Sequence, residues 1–196
     1  MPSVSQTRYS GVAMALHWLL ALAIVANVGV AWYANTLHGL AKMPSMQIHK
    51  SLGITILLLT FVRLAWRLFK KPPEMRADLK PWERRLAQAV HVLFYLTMVA
   101  LPLTGWAMVS ATPLIHVYPI DMFGLFHWPE IAPLANLPHD RMHEVHETFE
   151  AAHGLLAKLI VYVLIPLHIL GALKHQFLDR DNELGRMIPF LKAPHS

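Results

Sequence analysis

Four long apolar segments constrain this chain more than any other feature. They cover residues 13–34, 47–68, 86–109 and 150–174, and each reaches the ~20 residues that a helix needs to cross a hydrocarbon core about 30 Å thick. Because 55% of the 196 residues are hydrophobic and only 15% are charged, the composition does not fit a soluble domain. The sequence therefore predicts one all-α domain over residues 1–196, an integral membrane four-helix bundle.

The basic residues predict how the bundle is oriented. Most lie in the connection after the second segment or in the C-terminal tail, namely Arg67, Lys70, Lys71, Arg76, Lys80, Arg84, Arg85, Lys174, Arg180, Arg186 and Lys192. By the positive-inside rule, both termini are therefore cytoplasmic and the chain is multi-pass. The loop 110–149 is then extracytoplasmic, and we expect an ordered cap there with a short helix near 139–149. The same distribution explains the net charge of +5 without nucleic acid binding. The first segment lacks a cleavage pattern, so we expect it to be retained as a helix.

Histidines lie in or at the ends of all four apolar segments. On the predicted topology, His17, His91 and His168 form a cytoplasmic layer, while His49 and His153 form an outer layer. A lone histidine near a helix end usually just finds a hydrogen bond. Polar groups in lipid are costly and tend to be functional, so two layers matched in depth favour a pair of ligand sites.

The last segment can serve both layers. His153 and His168 are fifteen residues apart, which is roughly 22 Å along a helix and an offset of about 60° around it. His17 and His49 are the matching partners on the other helices. With no cysteine in the chain, thiolate ligation is excluded. Zinc remains an alternative, but it usually requires about four ligands in a tetrahedron. Paired imidazoles in a cavity lined by small residues suit a flat macrocycle better, so the hypothesis is bis-His haem b; the small residues are Gly53, Gly105, Gly154 and Gly171.

Around these histidines the sequence resembles the bacterial cytochrome b561 family. The matching stretches are ALHWLLAL at His17, IHKSLGITILLLTFVRLAWR at His49, AVHVLFYLTMVALPLTGW at His91, and LHILGALKHQFLDRDNELGRM at His168 and His175, and the resemblance extends over residues 8–187. It implies a protein of the bacterial inner membrane with two haem b groups. It further implies electron transfer between an extracytoplasmic donor, superoxide in one relative, and the ubiquinone pool.

By the same resemblance, the iron ligands come from the first, second and fourth helices. This pairs His17 with His168 at the cytoplasmic haem and His49 with His153 at the outer haem. In the family the two ligands of the last helix are fourteen residues apart, the earlier one in a His-Glu-Thr context. Here that context begins at His146, roughly 33 Å of helix before His168 and too far for two buried haems. We therefore expect His153 to be the ligand, with a bulge near Pro166 absorbing the one extra residue.

Two further histidines have open roles. His91 is a candidate to replace His17 or His168 as a ligand, or to line a cavity beside the cytoplasmic haem. His175 is placed to donate a hydrogen bond to a quinone carbonyl and to supply a proton. The alternative for His175 is a solvated residue that complements the helix C-terminal dipole.

Several charged groups accompany the histidines. Arg63, Arg67 and Lys174 are candidates to pair with haem propionates, or else they extend to lipid headgroups. Lys158 is expected to extend outward to the membrane surface; the alternatives are that it pairs with a propionate or attracts an anionic substrate to the outer haem. The segment 139–147 has histidine and carboxylate spacing that can bind a metal, but a polar helix face near the outer haem is the simpler interpretation.

These observations favour an electron-transfer protein, an oxidoreductase that works between an outer donor and quinone. The main alternative is a cytochrome b subunit that anchors a larger dehydrogenase or hydrogenase and serves a redox partner protein. A haem-free transporter is a third hypothesis, which four helices without an intramembrane carboxylate do not favour.

Overall fold

Four long helices form the body of the protein. The computed structural model describes residues 8–75, 79–180 and 183–191, so Arg76 and Lys192, which contributed to the predicted orientation, lie outside the described residues. Helix one is Gly11–Asn35, helix two Met43–Phe69, helix three Pro81–Ser110 and helix four His139–Leu178. Each is long and apolar enough to cross a membrane, which confirms the predicted all-helical membrane bundle.

The starts of the helices follow from local chemistry. The Ser10 hydroxyl accepts a hydrogen bond from the Ala13 N–H and caps helix one. Helix three begins five residues before the predicted position, with Pro81 at its start and the Glu83 carboxylate accepting from the Lys80 N–H. Hydropathy alone misses such polar first turns, because these residues form helix without being apolar.

Helix four corrects the predicted boundaries. The sequence predicted a span over 150–174 with a separate short helix near 139–149, but the two are one continuous helix. Residues 139–149 contain neither glycine nor proline. Side-chain contacts one turn apart support the polar extension, namely the Arg141–Glu144 ion pair at 3.5 Å and the His143–Glu147 contact at 3.6 Å. The connection after helix three is therefore shorter than predicted, residues 111–138.

Helix four contains two π-helical turns. The first is Ile160–Leu164, where the Ile165 N–H donates to the Ile160 carbonyl, and it directly precedes Pro166. This confirms the bulge predicted near that proline. A π turn accommodates one extra residue, so the interval from His153 to His168 behaves as about fourteen residues and their offset is about 40°. The second π turn is Lys174–Leu178, at the end of the helix.

The connection after helix three folds as an ordered cap, as predicted. It contains a two-stranded antiparallel hairpin, Ile120–Asp121 with His127–Trp128. Four buried residues of the cap pack with Ile54 of helix two in one cluster; they are Ile115, Ile120, Met122 and Ala135. The Ser51 hydroxyl of helix two donates to the Asp121 carbonyl at 2.6 Å, which ties the cap to the bundle.

The outer surface of the bundle is apolar. Val25 is 65% exposed and Leu170 is 62% exposed, each well inside its helix. Side chains of this kind belong against lipid tails.

The two ends of the bundle differ in what they carry. Helix one begins and helix four finishes at the same end, which we call the terminal end. The opposite end carries the cap, and we call it the loop end.

Candidate functional site

Two pairs of imidazole rings face each other inside the bundle, one toward each end. His17 and His168 have ring centroids 6.0 Å apart at the terminal end. His49 and His153 have ring centroids 6.1 Å apart at the loop end. Helix four contributes one histidine to each pair, and helices one and two contribute the others. These are the pairings expected from the sequence.

The separations suit a metal held between two imidazoles. Metal–nitrogen bonds of about 2 Å and a distance of roughly 1.1 Å from ring centre to nitrogen place two opposed centroids about 6.3 Å apart. Both observed separations lie close to that value. Within the described residues, no three His, Cys, Asp or Glu side chains converge as a tetrahedral zinc site would require. The donor set therefore fits a cofactor that needs two axial imidazoles, which is the requirement of bis-His haem.

Backbone groups orient the rings of the loop-end pair. His153 Nδ1 donates to the Leu101 carbonyl at 2.9 Å, and His49 Nδ1 donates more loosely to the Asn27 carbonyl at 3.4 Å. A proton on Nδ1 leaves the Nε2 lone pair for an iron, the usual arrangement of a ligating histidine.

Gly105 lets the His153 ring approach helix three. A Cβ at this position would lie 3.0 Å from His153 Cε1 and 3.1 Å from Nδ1. Such contacts are shorter than van der Waals separations, so any larger residue would displace the ring. This gives a physical reason for one of the four glycines that the sequence suggested as cavity-lining.

The terminal-end pair has a third imidazole beside it. His91 lies with its ring centroid 5.8 Å from that of His168, and its Nδ1 donates to the Ala87 carbonyl at 2.7 Å. Phe94 packs against the same His168 ring at 5.4 Å. Two imidazoles, His17 and His91, thus stand about equally close to His168, and His91 stays a candidate ligand.

His146 stands apart from the facing pairs. Its Nδ1 donates to the Met108 carbonyl of helix three at 2.9 Å, and its Nε2 lies 3.9 Å from Glu150. The neighbouring His143 pairs with Glu147 on the exposed helix surface. Lys158 is exposed on the outside of helix four. The segment 139–147 is thus a polar helix face, and the described residues do not converge there on a metal position.

The three candidate cations differ in their partners. Arg63 donates from Nε to the Tyr95 hydroxyl and from Nη1 to the Ala13 carbonyl, both at 3.2 Å. Arg67 lies over the Tyr95 ring, 5.6 Å from its centroid. Lys174 contacts two carboxylates instead. This leaves the two arginines as the propionate candidates.

Lys174 belongs to a charged cluster at the terminal end. Its Nζ lies 2.6 Å from Glu83 Oε1 of helix three and 2.7 Å from Asp179 Oδ2. The same Asp179 oxygen accepts from His175 Nδ1 at 2.7 Å. A hydrogen bond from Lys174, and to a smaller extent one from His175, holds the pKa of Asp179 below its usual range. Asp179 and Glu83 were not among the residues predicted from the sequence, although the four-residue spacing in HQFLD would have paired His175 with Asp179.

A four-helix membrane bundle with facing imidazole pairs near both ends is the architecture of a b-type membrane cytochrome. A sequence model described as prokaryotic cytochrome b561 matches residues 8–190. The chain belongs to this family.

Three relatives agree with this membership. Over 188 residues, the chain is 31% identical to Cytochrome b561 homolog 2 of Escherichia coli (strain K12), covering 92% of this chain and 91% of that protein. It is 32% identical over 188 residues to a Yersinia pestis protein named Probable superoxide oxidase CybB, covering 93% and 96%. It is 27% identical over 188 residues to Cytochrome b561 homolog 1 of Escherichia coli (strain K12), covering 93% and 97%.

Family membership and fold together define the class of function. The chain is a membrane protein that binds b-type haem and carries electrons across the bilayer. Four spanning helices and the family place it in the bacterial inner membrane. The resemblance found in the sequence is thereby confirmed.

Proposed function

We propose that this protein holds two haem b groups and conducts electrons between a donor at the loop end and quinone at the terminal end. His49 and His153 are the axial ligands of the first haem, and His17 and His168 those of the second. The observation that carries the proposal is the pair of facing imidazole sites, one toward each end of the bundle and joined by helix four.

When bound, haem supplies one-electron chemistry at iron, and the protein's part is to hold and orient it. The carbonyls of Asn27 and Leu101 keep the protons of His49 and His153 on Nδ1. Gly105 leaves room for the His153 ring. At the terminal end, Arg63 and Arg67 are the cations available to propionates, held in place by Tyr95.

The terminal end faces the cytoplasm in this proposal. The connection between helices two and three contains Lys70, Lys71 and Lys80, and the first turns of helix three add Arg84 and Arg85, whereas the short connection between helices one and two contains Lys42. The positive-inside rule then puts the loop end outside. Electrons would enter from the extracytoplasmic side and leave to quinone on the cytoplasmic side.

Superoxide is the donor we propose to test first, because one relative is named a probable superoxide oxidase. The charge of the loop end adds a constraint on this reaction. Over residues 36–50 and 111–150 there are six carboxylates against three lysine and arginine residues. This balance does not attract an anion, so we expect the rate with superoxide not to fall as salt is added.

Quinone is the proposed acceptor, and His175 is the proposed proton donor to it. His175 lies seven residues beyond His168, which is two turns or about 10 Å further toward the terminal end on the same side of the helix. A quinone head group at that depth lies at the membrane interface. There it is close enough to the proposed second haem to accept electrons, and water can supply protons.

The first experiment is a reduced-minus-oxidised visible spectrum with a pyridine haemochrome count on purified protein. We expect two haem b per chain in the wild type and one in His49→Ala. Superoxide generated enzymatically should then reduce the haems and, with a ubiquinone analogue present, produce quinol. One haem in the wild type would refute the two-site assignment. Reduction of the haems without formation of quinol would refute the acceptor.

A further inference from the structure

The terminal end contains a chain of four charged or titratable side chains that haem ligation does not use. It runs from Glu83 through Lys174 and Asp179 to His175, with successive contacts of 2.6, 2.7 and 2.7 Å. Glu83 is nearly buried, with 9% of its side chain exposed, and the His175 side chain is 20% exposed. The chain therefore connects the interface between helices three and four to His175.

The second π turn makes this arrangement. In an α-helix, residues five apart lie about 140° apart around the axis, so Lys174 and Asp179 would face different directions. In a π turn the backbone hydrogen bond joins residues i and i+5, so these two residues lie on the same side of the helix. The Asp179 N–H donates to the Lys174 carbonyl at 3.1 Å in this way. One carboxylate oxygen thereby reaches both Lys174 and His175.

We propose that Asp179 is the positioning residue for His175 in quinone reduction, an inference that rests on the proposed function. By accepting from Nδ1, Asp179 orients the ring, assigns proton donation to Nε2 and stabilises the imidazolium that precedes donation. Lys174 holds the Asp179 carboxylate in place.

Electrons and protons balance in the proposed reaction. Conversion of one quinone to one quinol consumes two electrons, supplied by two superoxide anions that become two molecules of oxygen. It also consumes two protons. After each electron, His175 breaks its Nε2–H bond and an O–H bond forms on a quinone carbonyl oxygen. The ring then takes a replacement proton from water at the cytoplasmic surface.

Asp179→Asn tests this inference because the amide keeps the size of the side chain and removes its charge. We expect quinone turnover, kcat, to fall about 10- to 100-fold, by analogy with metal-bound histidines that lose the carboxylate or carbonyl orienting them. The KM for quinone should stay unchanged, and so should haem content and haem reduction by superoxide. In a His175→Ala background, Asp179→Asn should cause no further loss, because Asp179 acts through His175.

Two control variants separate positioning from stability. Glu83→Gln breaks the ion pair between helices three and four and leaves His175–Asp179 in place, so it should lower thermal stability more than turnover. Glu147→Gln removes the carboxylate from a histidine pair of the same spacing at the loop end, His143–Glu147, and should leave quinone turnover unchanged.

The outcomes distinguish failure of the positioning role from failure of the proposed function. Wild-type kcat in Asp179→Asn, a rise in KM alone, or additive losses in the double variant would overturn the positioning role. An equal loss of turnover in Glu83→Gln would also overturn it and make the cluster a structural element. Failure of the wild type to reduce quinone, with haems that accept electrons normally, would refute the proposed function and with it this inference.

Discussion

Replacing Gly105 with alanine would place a methyl group where the His153 ring now lies. The new Cβ would be 3.0 Å from His153 Cε1 and 3.1 Å from Nδ1. The ring has little freedom to retreat, because its Nδ1 donates to the Leu101 carbonyl of helix three at 2.9 Å. The substitution therefore forces either the ring or helix three to move by a few tenths of an ångström.

The expected magnitude follows from two opposing effects. Glycine to alanine inside a helix normally stabilises by about 1 kcal/mol. Overpacking a tight contact costs about 1–3 kcal/mol. Gly105→Ala should therefore be less stable than a matched glycine to alanine variant by about 1–3 kcal/mol, and the displaced ring should weaken haem binding at the loop end.

The matched control is Gly29→Ala, inside helix one. Gly29 is exposed, and a Cβ there would meet nothing within 4 Å. The assay is thermal unfolding in detergent together with a haemochrome count for both variants. We expect Gly29→Ala to match or exceed the wild type with two haems, while Gly105→Ala melts lower and approaches one haem. Equal melting temperatures and equal haem content would refute the inferred close approach.

Three other predictions concern the remaining groups. His153→Ala should lose one of the two haems, whereas His146→Ala should retain both, as a haemochrome count would show. At the terminal end, His17→Ala should lose a haem and His91→Ala should retain it; the reverse result would make His91 the ligand. Because the pKa of Asp179 is depressed, its pairs with Lys174 and His175 contribute stability above its ordinary value of about 4 and lose it at lower pH. Acid titration of thermal stability should therefore show a step below about pH 4 that Asp179→Asn reduces, and an unchanged step would contradict the assignment.

The bundle was predictable from the sequence because the signals involved are local. An apolar run of about twenty residues forms a membrane helix whatever surrounds it. Lipid offers no hydrogen-bond partners to the backbone, so the N–H and C=O groups must bond to one another within the helix. The depth of His17, His49, His153 and His168 then follows from counting along each helix. The bulge near Pro166 was predicted with the help of the family resemblance, because the spacing of His153 and His168 exceeds the family's fourteen residues by one and a proline lies in that interval.

Polar residues that extend the helices were harder to predict. Residues 139–149 lack an apolar face long enough to signal a membrane span, so their continuity with helix four was missed. Lys174 was assigned as a propionate candidate because it lies near the depth of the cytoplasmic histidines. Its partner Glu83 is 91 residues away, and a single sequence contains no signal for that contact.

The four-helix membrane bundle with histidines at two depths follows from the sequence alone, because hydrophobic length and helical rise act within each segment. The folded structure was needed to show that His91 joins His17 beside His168 and that Asp179 reaches His175 and Lys174 together. Those outcomes depend on how each helix is rotated against its neighbours and on a π turn that changes the rotation along helix four. Side-chain packing between the helices sets the helix rotations and the π turn, and this packing exists only in the folded chain.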